Sequence, residues 1–102
     1  MDAFAAAATF KDSVEAFGDA AVNELTRSVE REGSHRIARA NIIRLYRARK
    51  TEIEKMVAAY SRRPWPTEHH QGVRDVAGNA LAVLDLLYRD FQRNLAILHK
   101  RG

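Results

Sequence analysis

Apolar residues recur along this chain every three or four positions, in three long runs separated by two short breaks. At 100° per residue each run gathers them on one side of a helix. In the first, Ala7, Phe10, Val14, Phe17, Ala21 and Leu25 form the stripe, with Asp12, Asp19, Asn23 and Glu30 away from it. In the second, Ala38, Ile42, Leu45, Tyr46, Ile53, Met56, Val57 and Tyr60 face Arg36, Arg39, Arg44, Arg47 and Lys50 across the helix. The third has the widest arc, from Val73 through Val76, Leu84, Tyr88 and Phe91 to Leu98, with Val83 at its margin and Leu86 and Ile97 beyond it. An arc that wide predicts contact with both other helices and apolar surface left over for a second copy or a partner.

The breaks are Gly33-Ser34 and Pro64-Trp65-Pro66-Thr67. Gly33 can take the left-handed conformation that ends a helix, Ser34 and Thr67 can cap the helices that follow, and the prolines cannot continue the second helix. The expected elements are helices over about 3–32, 35–62 and 68–100, each about 40 Å long at 1.5 Å per residue. Short connections make neighbours antiparallel. The predicted fold is therefore all-α, an up-down-up three-helix bundle in a single domain spanning residues 1–102. Strand-like alternation, internal repeats and hairpin turns are missing from the sequence.

Charge adds an asymmetry to this picture. The net charge is +4 over 102 residues, yet residues 1–33 hold seven acids against three bases and residues 34–63 hold nine bases against two acids. The second helix can be neutralised in part by the first, or can offer its basic face to a partner. Arg49 stands apart, because its angular position falls inside the second helix's apolar stripe. Two explanations fit: its stem lies along the core while the guanidinium pairs with an acid such as Asp19 or Glu15, or it sits at a subunit interface.

Composition narrows the classes. The absence of cysteine excludes disulfides, thiolate metal sites and a cysteine nucleophile and fits a reducing, cytoplasmic setting. No export leader is signalled, and the longest uncharged run in the third helix, residues 76–84, is too short to span a membrane. The histidines, His35, His69, His70 and His99, have no metal-ligand spacing, although an up-down-up topology brings His35 and His99 to one end. The serines Ser13, Ser28, Ser34 and Ser61 have no base positioned beside them by sequence, so neither a catalytic residue, a metal site nor a cofactor is expected. Gly18 and Gly78, isolated inside helices, are expected to allow close helix approach. Trp65, held between prolines, is expected to cap the core near Phe4 or to anchor a partner.

These features lead to a non-enzymatic interaction or regulatory module, probed through two surfaces. One is the basic set Arg36, Arg39, Arg44, Arg47 and Lys50, for a protein partner or for phosphate. The other is the interface set Val83, Leu86 and Ile97, with Arg49 and Trp65, for a homo-oligomer. Ile43, exposed amid the bases, favours a protein partner. The alternative is a nucleic-acid-associated regulator presenting the basic helix to a phosphate backbone, although helix-turn-helix, aromatic RNA-binding and zinc-finger patterns are missing. A weaker third reading is a small-ligand sensor with a cavity between helices. Small bacterial regulators, secretion chaperones and antitoxins include bundles of this size, an analogy of shape alone.

Overall fold

The computed structural model describes residues 3–30 and 35–101, with side chains at 5–30, 35–98 and 100. It contains three helices, α1 (Ala3–Glu30), α2 (His35–Ser61) and α3 (Thr67–Arg101), each packed against the other two. The predicted turn at Gly33 and cap at Ser34 lie outside the described residues. The bundle is long and narrow, 54 × 16 × 14 Å, and its long dimension is that of α3.

Core positions follow the predicted stripes. Phe10, Val14, Phe17 and Ala21 of α1, Ala38, Ile42 and Ile53 of α2, and Val73, Ala77, Leu84 and Leu95 of α3 are buried in one cluster. Phe17 ties the three helices together: its ring meets Tyr46 of α2 edge-on at 6.4 Å and Phe91 of α3 at 6.0 Å. Withdrawing a side chain of this kind from water contributes about 1.5–3 kcal/mol. Ala6 and Ser13 are also buried, which widens the predicted α1 stripe on the side where Ser13 meets Glu52 of α2.

The α2–α3 connection tightens before it turns. Arg62 and Arg63 donate backbone bonds to the carbonyls of Ala59 and Tyr60, a one-residue narrowing of the helical turn that satisfies groups left open at a helix end. The first cap of α3 differs from expectation by one residue. The carbonyl of Pro66 accepts bonds from His69 and His70, which makes Pro66 the capping position and Thr67 the first helical residue. Proline suits that place, having no N–H of its own to satisfy.

Two sequence expectations are corrected here. Gly18 and Gly78 do not serve close packing, since a Cβ built on either meets no atom within 4 Å. Ile43 is half-buried instead of standing exposed among the bases.

Candidate functional site

Trp65 closes the α2–α3 end of the bundle. Its ring lies 5.8 Å from Tyr60 and 4.2 Å from His69, with the Arg63 guanidinium 5.7 Å above it. Tyr60 in turn meets Phe10 edge-on at 6.2 Å, so Trp65 continues the aromatic core outward. This is the capping role expected of it, while the anticipated neighbour Phe4 lies outside the described side chains. His99 falls outside them too, and so does its approach to His35. Among the described residues no three His, Asp or Glu side chains gather as metal ligands.

Arg49 pairs neither with Asp19 nor with Glu15. Its guanidinium donates to Glu52 at 2.8 Å, one turn along the same helix, and the buried Ser13 of α1 donates to the same carboxylate oxygen at 3.3 Å. The geometry explains the misreading. An arginine inside an apolar stripe can carry its guanidinium on a long stem to a carboxylate three residues on, within its own helix. Glu52 then carries the link to α1. A second polar link joins these helices where Asn41 donates to Glu24 at 3.0 Å. The ion pairs Lys11–Glu15, Arg27–Glu24, Arg49–Glu52 and Arg93–Asp90 each lie within one helix, so none of these four joins acidic α1 to basic α2.

On the other side of α2, Tyr46 donates to Asp85 of α3 and stacks on Tyr88 at 4.3 Å. That hydrogen bond, reinforced by burial and by the carboxylate's charge, pushes the Tyr46 hydroxyl up to about 12.

These links divide the five predicted bases. All are exposed. Arg44 donates to Asn41, itself bonded to α1, and so stands on the α1 side. Lys50 lies 5.9 Å over the Tyr46 ring, on the α3 side. Arg36 and Arg39 line a groove of about 690 Å³ between α2 and α3. Its other wall is made by Arg89, Gln92 and Lys100, which sequence reading passed over. A signal was available: antiparallel pairing sets the start of α2 against the end of α3, and the logic that related His35 to His99 applies equally to Arg89 and Lys100.

Apolar surface remains on the α1–α3 side. Val83 lines a furrow with Ala7, Lys11 and Val14 of α1 and Val76, Asn79 and Ala80 of α3. That pairing of early with early positions shows α1 and α3 running parallel. Leu86 is 61% exposed and Ile97 44%. With Val83 they belong to one stripe of α3 residues, Val83, Leu86, Asp90, Arg93 and Ile97, spaced by three, four, three and four and all exposed. Asp90 and Arg93, at its centre, form an ion pair at 3.8 Å. Val22 and Val29, seven residues apart on α1, are exposed as well.

Among the described residues, no helix is long and apolar enough to cross a membrane. The chain matches no protein-family model, and comparisons with curated proteins and with solved structures found no significantly similar chain.

Proposed function

We propose that this chain is a non-enzymatic interaction module that works as a homodimer and presents its remaining surface to a protein partner. The observation that carries the reading is the exposed α3 stripe. Its alternating three- and four-residue spacing is that of a coiled-coil seam, which keeps one line of side chains facing a partner helix. From Leu86 to Ile97 the stripe is symmetric about the midpoint between Asp90 and Arg93. Antiparallel copies aligned there set Leu86 of one protomer against Ile97 of the other and each Asp90 against the opposing Arg93. A second copy therefore satisfies the apolar ends and the charged centre together, and a polar pair within an apolar seam fixes its register.

A nucleic-acid-associated regulator is the other reading of the basic helix. It draws less support, because Arg44 stands on the α1 side while Arg36 and Arg39 turn towards α3.

Sedimentation equilibrium across a wide concentration range tests the dimer. The expected result is twice the chain mass for the wild type. The double substitution Leu86→Glu with Ile97→Glu should give the single mass with helicity unchanged, both side chains being exposed in the monomer. A wild type that stays monomeric at high concentration would refute the seam.

A further inference from the structure

The groove between α2 and α3 belongs to neither the seam nor the core, and its chemistry is one-sided. Arg36 and Arg39 line one wall, Arg89 and Lys100 the other, and no carboxylate is among the lining residues. Gln92 lies between them, with its side-chain nitrogen shut away from solvent and without a hydrogen-bond partner. A buried amide N–H left open is costly, and a turn of the Gln92 side chain into the groove would open it to an acceptor there. At about 690 Å³, the groove falls in the size range of small-ligand sites, about 300–1,000 Å³.

We infer that this groove is a binding site for a small molecule bearing a polyphosphate chain. Three guanidinium groups offer planar forks suited to paired phosphate oxygens, and the Lys100 ammonium adds a compact charge. Four cations on two facing walls exceed what one carboxylate would neutralise and match two or three adjoining phosphates. Antiparallel packing creates the site: it sets the first turns of α2 beside the last turns of α3, so cations 50 to 64 residues apart in sequence share one cleft. The proposal does not depend on the dimer: the groove opens between α2 and α3, and of its four cations only Lys100, seven residues beyond Arg93, falls on the line of the seam.

Isothermal titration calorimetry with sodium tripolyphosphate, at low and near-physiological salt, tests it. The expected result is saturable binding with one site per chain. Arg39→Glu with Arg89→Glu, both exposed residues, should abolish it while leaving the circular dichroism spectrum unchanged. Should that pair disturb folding, Arg39→Ala with Arg89→Ala serves the same purpose. Arg44→Glu with Arg47→Glu changes net charge equally, outside the groove lining, and should alter affinity less than threefold. No heat from tripolyphosphate at low salt would overturn the site. Equal losses in the two charge-reversed pairs would overturn it too, since binding would then follow overall charge. Tight binding of a single-stranded oligonucleotide together with none of tripolyphosphate would overturn it in favour of a nucleic-acid surface. Sedimentation of the Arg39→Glu, Arg89→Glu protein is expected to match the wild type, which separates failure of this site from failure of the seam.

Discussion

Replacing Tyr46 by Phe deletes one oxygen and leaves the ring that stacks on Tyr88 and meets Phe17 edge-on. What it removes is the hydroxyl donor to Asp85, the hydrogen bond that joins α2 to α3 near mid-bundle. A hydrogen bond to a charged acceptor contributes about 1.5–3 kcal/mol when well buried. Both residues here are half-buried, so water can reach Asp85 in the variant, and the expected loss is about 1–2 kcal/mol. In a domain of this size each kcal/mol moves Tm by about 4–8 °C, which puts the variant roughly 5–10 °C below the wild type. The pH dependence gives a sharper check. The Tyr46 hydroxyl has an ordinary value of 10.0 and is raised to about 12 in the folded protein. Folding thus favours the protonated form, so this contribution is complete below pH 10, fades as pH rises from 10 to 12, and is gone above that. Thermal unfolding of both proteins from pH 7 to 11.5 should show a constant gap up to about pH 9 and a narrowing one beyond it. Equal Tm values at pH 7, or a gap that persists undiminished to pH 11.5, would refute the reasoning.

Other outcomes follow from packing. Phe17→Ala removes a fully buried ring in contact with aromatic partners on both other helices, and urea unfolding should show a loss of about 3–5 kcal/mol. Gly18→Ala and Gly78→Ala should each stabilise the protein by about 0.5–1 kcal/mol, because both glycines lie inside helices with open space where a Cβ would go. A drop in Tm for either would mean that the site is closer-packed than its 4 Å clearance indicates. Ser13→Ala should cost about 1 kcal/mol in the same urea assay, since Glu52 keeps its bond from Arg49; a loss as large as that of Phe17→Ala would show that the Ser13–Glu52 link matters more than the core beside it.

The sequence by itself determined the elements and most of the core. A period near 3.6 residues is a property of the chain alone, and a long run of it specifies a buried helical face whichever partner covers that face. Phe10, Phe17, Ile42, Ile53 and Leu84 are fully buried as their stripes required, and Leu86 and Ile97 stand exposed where the third stripe overflowed. Pairings between helices were beyond such a reading, because angular position says which side of its own helix a residue occupies and nothing about the neighbour's rotation or offset. Arg49 shows the limit: its place in the stripe was legible, but its bond to Glu52, shared with Ser13, depended on the depth at which α1 and α2 pack. The basic groove shows it again. Arg36 and Arg39 were visible as members of a charged face, while Arg89, Gln92 and Lys100 joined them only because antiparallel packing closes a chain separation of 50 to 64 residues. Local periodicity fixes faces, and only the tertiary register decides which faces meet.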